Sequence, residues 1–365
     1  MNGAVDSTRP LTPPPERYIF LTTMGDERYS RQVRFSGIGP AGQKKIGAGR
    51  VAVIGVGALG TVSANVLARA GVGRLRLVDR DVVDRSNLQR QVLFTERDAE
   101  EARPKAIAAA EFLRSVNSEI EIEPVVREVT PRNVEGLIRD VDVVVDGSDN
   151  FELRYLLNDA CVKQGVPWVY GGAIGACGST LAVVPGETAC LHCFNGPMPP
   201  PGSVETCSTA GVLAMVTGII GNTQAAEALK LLVGTKTRPT ALLVDLWNGE
   251  FSTITVRKND RCPVCGRGEY VHLNARRPTR VSTFCGQHTI QISPAAEEGT
   301  FSLQRLASQW KRSIGNDADI LLHDQVLRLR TTEFEMTVFT DRRALIRGVG
   351  DEPTARAIYN EYIGT

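Results

Sequence analysis

From Arg50 onward, short apolar runs alternate with longer segments whose apolar residues recur every three or four positions, the pattern of a parallel sheet with crossover helices. Arg50 to Ile54 is the first strand. Gly55-Val56-Gly57-Ala58-Leu59-Gly60 follows at once, then a helix running to about Ala70. Leu75 to Val78 is a second strand that ends on Asp79, and a polar loop leads into a helix over Pro104 to Val116. Pro104 suits the first turn because its missing N–H is not needed there. Ile120 to Val126 and Val141 to Val145 are further strands, the latter entering Asp146-Gly147-Ser148-Asp149-Asn150 before a helix through Lys163. Polar residues thus gather at the carboxyl ends of strands, where doubly wound sheets bind ligands.

Past Val166 the period shortens. Trp168 to Tyr170 and Ser179 to Val184 predict an antiparallel extension of the sheet, with Gly171, Gly172, Gly175 and Gly178 between them. Residues 186–209, with Pro197, Pro199, Pro200 and Pro201, read as a long surface loop. The apolar stretch Gly211 to Gly234 contains Asn222, Gln224, Glu227 and Lys230, which suits a buried helix better than a membrane span. Ala241 to Leu246 and Phe251 to Val256 are strands. Further on, strands are expected within Arg280 to Ser293, Asp319 to Arg330 and Glu335 to Gly348, and helices over Ser302 to Lys311 and Thr354 to Ile363. The fold class is therefore α/β, a doubly wound Rossmann-like sheet with an antiparallel extension, followed by a small α+β domain. The expected organisation is a disordered leader over 1–25, a nucleotide-binding domain over 26–268 and the small domain over 269–365.

Composition adds little until the cysteines are placed. The 365 residues are 42% hydrophobic and carry 42 basic against 41 acidic side chains, so no strong field exists for nucleic acid or an anionic membrane. No apolar signal segment opens the chain, and the eight cysteines fit a reduced, cytoplasmic protein. Cys190/Cys193 and Cys262/Cys265 each have the spacing by which two thiolates grip a tetrahedral Zn²⁺. A single such pair beside an α/β pattern can be a redox motif. Two pairs favour a closed structural site, with His192 inside the first knuckle as a competing ligand.

The glycine loop predicts a nucleotide. Gly55 permits the tight turn, Gly57 lets a phosphate approach the backbone, Gly60 lets helix pack on strand, and Asp79 is placed for ribose hydroxyls. A nicotinamide dehydrogenase commonly owns such a loop. Against hydride transfer stand Asp81, Asn87, Gln89, Arg90 and Lys105, cations and amides suited to a triphosphate, with Asp149 available to Mg²⁺.

Arg28-Tyr29-Ser30-Arg31-Gln32, the glycine loop, Asp79-Arg80-Asp81, Ser86-Asn87-Leu88-Gln89-Arg90-Gln91, Pro104-Lys105, Ser148-Asp149-Asn150 and the four cysteines together resemble the ThiF/MoeB family. The resemblance covers about Gly25 to Gly266. It implies ATP-dependent adenylation of the C-terminal glycine of a ubiquitin-like sulfur-carrier protein ending in Gly-Gly, serving molybdopterin, thiamine or thiolated tRNA synthesis. It also implies Zn²⁺ and Mg²⁺ as cofactors and a homodimer in which Arg31 reaches the neighbouring subunit's phosphates. Lys105 and Arg90 would neutralise the phosphates, Asp79 would hold the ribose, Asn87 the nucleotide and Asp149 the Mg²⁺, with Ser86, Leu88, Gln89 and Asn150 lining the site. Ala58 stands where many relatives have glycine.

Cys207, just before the Gly211 helix, either forms a covalent link to the carrier, as in some relatives, or is a small buried residue. Cys161 and Cys177 read as core. Cys285-Gly286-Gln287-His288 does not match a rhodanese turn, so no sulfur transfer is assigned to the small domain. A NAD-dependent dehydrogenase and a non-catalytic carrier-binding scaffold are the alternatives.

Overall fold

A computed structural model describes residues 27–200, 210–275, 280–284, 289–293, 301–314, 318–323 and 325–363. The leader over 1–25, Cys207 and the Cys285–His288 segment lie outside them. Two sheets dominate.

The first has eight strands: β1 Arg50–Ile54, β2 Arg74–Asp79, β3 Glu121–Val126, β4 Val143–Asp146, β5 Trp168–Ile174, β6 Cys177–Val183, β7 Thr240–Asp245 and β8 Glu250–Thr255. Their order is β3-β2-β1-β4-β5-β6-β7-β8. β3 through β5 pair in parallel and β5 through β8 pair antiparallel. This is the doubly wound sheet with the expected extension. Pro124 cannot donate to a ladder, and β3 lies at the sheet's edge, where that loss is tolerated.

The direction of winding reverses between β1 and β4, and there two loops meet at van der Waals limits. Gly55 has φ +90°, and a Cβ on it would lie 2.7 Å from the Gly147 carbonyl. A Cβ on Gly60 would lie 1.9 Å from the Gly55 carbonyl oxygen, and one on Gly147 2.2 Å from the same atom. Three glycines are therefore needed for the β1 and β4 loops to share one crevice.

The apolar segment expected to be a helix forms Ala214–Val233, packed against the helix Ala58–Ala70 that leaves the glycine loop. Its buried Gln224 donates to the carbonyls of Asp146 at 2.7 Å and Val169 at 3.2 Å, tying the helix to the ends of β4 and β5. Among the described residues no helix is long and apolar enough to cross a membrane. The expected loop over 186–209 contains a short helix, Leu191–Asn195. Cys161 is buried as expected, whereas Cys177 is exposed: it opens β6 at the tip of the β5–β6 hairpin, opposite Asp245.

The second sheet has six antiparallel strands: β9 Arg280–Phe284, β10 Thr289–Ser293, β11 Asp319–Leu322, β12 Val326–Arg330, β13 Glu335–Phe339 and β14 Ala344–Arg347. Their order is β11-β12-β13-β14-β10-β9. The helices Leu303–Ser313 and Glu352–Tyr362 bury Leu306, Trp310, Ala355 and Tyr359 against Ile290, Leu327, Leu329, Met336 and Ile346. Val326, Phe339 and Leu345 pack instead on Val82, Ala102, Ala106 and Val126, around the eight-stranded sheet. The small sheet thus backs onto the loop after β2.

Candidate active site

The glycine loop and the start of the helix Ala58–Ala70 form the floor. Gly57 is the N-cap residue and no side chain caps the helix, so its first N–H groups are available to an anion. Gly57 is open on its outer side, where a Cβ would meet nothing nearer than the Gly147 carbonyl at 3.7 Å and the Gln91 amide at 3.9 Å. Gln91 is itself buried, and its Oε1 has no hydrogen-bond partner in the protein. The open cradle of free N–H groups fits a nucleotide phosphate, while the unpartnered Gln91 Oε1 calls for a hydrogen-bond donor of the ligand, such as a hydroxyl or an amine.

Asp79, at the end of β2, ties this floor to the next turn. Its Oδ2 accepts the Val56 N–H and its Oδ1 the Asp81 N–H, each at 2.7 Å. Each oxygen retains a further lone pair for a ribose hydroxyl. Lys105 opens the helix Lys105–Val116, its N–H donating to the Asp81 carbonyl at 2.9 Å and its Nζ lying 3.6 Å from Asp81 Oδ2. Its side chain is only 9% exposed.

Burial works against the Lys105 charge, but Asp81, Asp79 and Asp149 outweigh it and hold the ammonium's pKa above the usual lysine range. Asp81 is also penalised by burial, yet Lys105, Arg80 and Arg343 keep its carboxyl below the usual carboxylate range. Burial pushes Asp79 up, opposed mainly by Lys105. The result is a buried cation fixed among carboxylates and linked to the glycine loop through Asp81 and Asp79. Asp149 is exposed at the other lip and acts on both Lys105 and Arg80.

The remaining predicted residues divide. Arg90 donates to the Ser86 carbonyl at 2.8 Å, and its charge opposes that of Lys105. Asn87 is buried and closes a capping box with Asp84, its Oδ1 accepting the Asp84 N–H at 3.2 Å. Asn150 caps the helix Phe151–Gln164 by accepting the Leu153 N–H at 2.9 Å. In both asparagines the carbonyl oxygen shapes the loop that carries its neighbours. Ser86 and Gln89 are exposed, Leu88 packs on the core, and Ala58 occupies the first helical position.

Arg31 is exposed on the short helix Ser30–Val33. The adjacent Gln32 donates to the Ala70 carbonyl at 2.9 Å, so the segment is anchored at the far end of the helix Ala58–Ala70, about 18 Å from the glycine loop. The fold does not bring Arg31 to the crevice of its own chain.

The four predicted thiols do come together. Cys190 Sγ lies 4.0 Å from Cys193 Sγ and 3.7 Å from Cys262 Sγ, and Cys193 Sγ lies 3.5 Å from Cys265 Sγ. All four fall within 4.8 Å of one another. A tetrahedral Zn–S₄ centre sets its sulfurs about 3.8 Å apart, so the set can hold a metal. Burial pushes the Cys190 thiol up to about 11, which a cation would reverse. His192 is outside this cluster and stacks edge-on with Tyr155 instead. The helix Phe151–Gln164, which starts at the Asp149 lip, also braces the first knuckle and the segment that follows the second. Asn158 accepts the Leu191 N–H at 2.9 Å, and Asp159 accepts those of His272 and Leu273 at 2.8 and 3.3 Å.

The ThiF family profile matches residues 29–264. The chain belongs to the ThiF family. Its curated relatives include the sulfur carrier protein ThiS adenylyltransferase of Bacillus subtilis, 42% identical over 339 residues and spanning 92% of this chain and 99% of that protein. The SAMP-activating enzyme E1 of Haloferax volcanii is 43% identical over 244 residues, 66% of this chain and 89% of that protein. Among solved structures, E. coli MccB with ATP superposes with a TM-score of 0.59 at 23% identity, over 66% of this chain and 75% of that one, a likeness of fold. The adenylating reading of the crevice thus stands over the dehydrogenase one.

Three site features of this ThiF-family chain escape motif reading. Gly147 sits in a segment that looks like an ordinary strand-to-helix turn, and Gln91 ends the Ser86–Gln91 run with no role of its own. Arg80, between Asp79 and Asp81, points its guanidinium at Glu128 at 2.8 Å. A signal existed only for Arg80, as a cation between two acids.

Proposed function

We propose that this chain transfers the adenylyl group of ATP to the C-terminal glycine of a ubiquitin-like sulfur carrier ending in Gly-Gly, and that the carrier is of the ThiS type. A carboxylate oxygen of the carrier attacks the α-phosphorus, the bond to the bridging oxygen breaks, and pyrophosphate leaves as the acyl-adenylate forms. A carboxylate must be brought against a polyanion, so the reaction needs a fixed cation and restrained geometry. The observation that supports this most is Lys105, buried, held charged by three carboxylates and tied through Asp81 and Asp79 to the glycine loop. The ThiS assignment is supported by the Bacillus relative, whose match spans enough of the chain to include most of the C-terminal sheet.

Asp79 would take the ribose hydroxyls, the N-terminus of the Ala58 helix and Arg90 the phosphates, and Asp149 with Asp81 the Mg²⁺, which offsets phosphate charge when bound. Asp81 Oδ1 is buried without a hydrogen-bond donor, which suits that duty. Zn²⁺ would fill the four-thiolate site and clamp residues 190–193 to 262–265. Thiols in that state fit a reducing compartment such as the cytoplasm. Arg31, remote from its own crevice, would serve the crevice of a second copy in a homodimer. Cys207 would act, if at all, after adenylation. The test is ATP–pyrophosphate exchange with purified carriers. Exchange that needs both the carrier and its terminal glycine is expected; absence of exchange with every Gly-Gly protein of the host, or saturable NAD binding in its place, overturns the proposal.

A further inference from the structure

At the apolar contact between the small sheet and the nucleotide-binding part lies a fully buried charged side chain, Arg343, 1% exposed. Its guanidinium lies 3.8 Å over the Phe339 ring, its Nε is 3.7 Å from Asp341 Oδ2, and its Nη2 donates to the Arg80 carbonyl. Its Nη1 has no hydrogen-bond partner. Sealing a guanidinium in such a place is costly, and a sheet needing only to dock would do better with an apolar residue.

What Arg343 grips is the peptide joining Arg80 to Asp81, within the turn that Asp79 organises through the Asp81 N–H. The same turn is held from its other side. Glu128 takes the Arg80 guanidinium on Oε1 at 2.8 Å, while its Oε2 accepts from Ser293 at 2.9 Å and Gln291 at 3.2 Å, both on β10. The small sheet therefore fixes the backbone of Arg80 directly and its side chain through Glu128.

We propose that Arg343 is a positioning residue of the ATP site: it fixes the Asp79–Arg80–Asp81 turn and adds positive charge behind Asp81, and thereby sets the place of Lys105. The small C-terminal domain is on this view the back wall of the nucleotide site. The proposal rests on the crevice binding ATP, and not on the identity of the carrier.

The experiment measures the ATP dissociation constant by equilibrium dialysis, and KM for ATP and for carrier in exchange, in the full-length protein with Arg343→Met, Arg343→Lys and Arg328→Met. Arg328 also crosses the interface, donating to the Glu100 carbonyl at 3.1 Å, but does not touch the turn. Loss of a charged hydrogen bond predicts that Arg343→Met weakens ATP about tenfold in both constants with the carrier KM unchanged, that Arg343→Lys weakens it about threefold, and that Arg328→Met leaves it within about twofold. A folded Arg343→Met with unaltered ATP constants overturns the proposal, as does an equal loss in Arg328→Met. Should Arg343→Met not fold, Arg343→Lys decides: a threefold change supports the proposal and no change overturns it. If wild type binds ATP but shows no exchange, the carrier reading fails while the dialysis series still tests Arg343.

Discussion

The Asp79 carboxylate closes the glycine loop from the neighbouring strand, its Oδ2 accepting the Val56 N–H at 2.7 Å. Its other oxygen holds Asp81, whose carbonyl and carboxylate in turn meet Lys105. One side chain therefore sets the spacing between the phosphate cradle and the buried cation, and much of the site's chemistry follows from that spacing.

Lys105→Met keeps the stem's bulk and removes the charge. Exchange should fall by about a hundredfold or more in kcat, the scale for losing a preorganised group that stabilises developing charge. Retention of wild-type kcat would remove Lys105 from the chemistry.

Arg31→Ala should also abolish exchange, and mixing it with Lys105→Met subunits should restore part of it. A heterodimer of the two has one crevice with both an intact Lys105 and an intact Arg31 from across the interface. If mixing recovers nothing although subunits exchange, Arg31 does not act between chains.

Gly60→Ala drives a methyl to 1.9 Å from the Gly55 carbonyl oxygen, a backbone atom that cannot yield without opening the crevice. Urea denaturation should show a loss of about 3 kcal/mol, the upper range for overpacking, together with lost ATP binding. Unchanged stability would mean that the two loops do not meet as closely as described.

Stoichiometric zinc should copurify with the chain, and Cys262→Ser or a strong chelator should lower the thermal midpoint and detach the segment that carries Cys262 and Cys265, read as new protease sensitivity after Val256. The clamp joins residues 72 positions apart in sequence, so its loss frees a long loop. Metal-free protein of full stability would show the thiols need no ion.

Burial raises the Asp159 carboxyl to about 6, against the His272 and Leu273 N–H groups that favour its charge. In the unfolded chain it titrates near about 3.9. The folded state thus binds this proton more tightly, and the group's stabilising effect, complete below about pH 4, is lost as pH rises through about 6. Asp159→Asn, which keeps an acceptor but does not titrate, should gain stability relative to wild type across that interval. A difference in urea midpoint that stays flat with pH would contradict the assignment.

The glycine loop, Asp79, Lys105 and the cysteine pairs were legible in the sequence because each is defined by neighbours a few positions away. Strand period, turn residues and ligand spacing are local properties of the chain. Asn87 and Asn150 were legible as members of a motif, but their observed hydrogen bonds are caps within their own turns, a use of asparagine that motif reading does not separate from ligand binding. Cys177 read as core because a strand's two faces cannot be told apart until its partner strand is known.

The sequence by itself thus determined the sheet's class, the glycine loop and the two cysteine pairs. Only the tertiary structure decided that Gly147 must be glycine because it meets Gly55, that Arg31 stands at the wrong end of its own helix layer, and that Arg343 reaches Arg80 across 263 positions. Contacts between distant segments depend on how whole layers pack, and packing is a property of surfaces that no local pattern encodes.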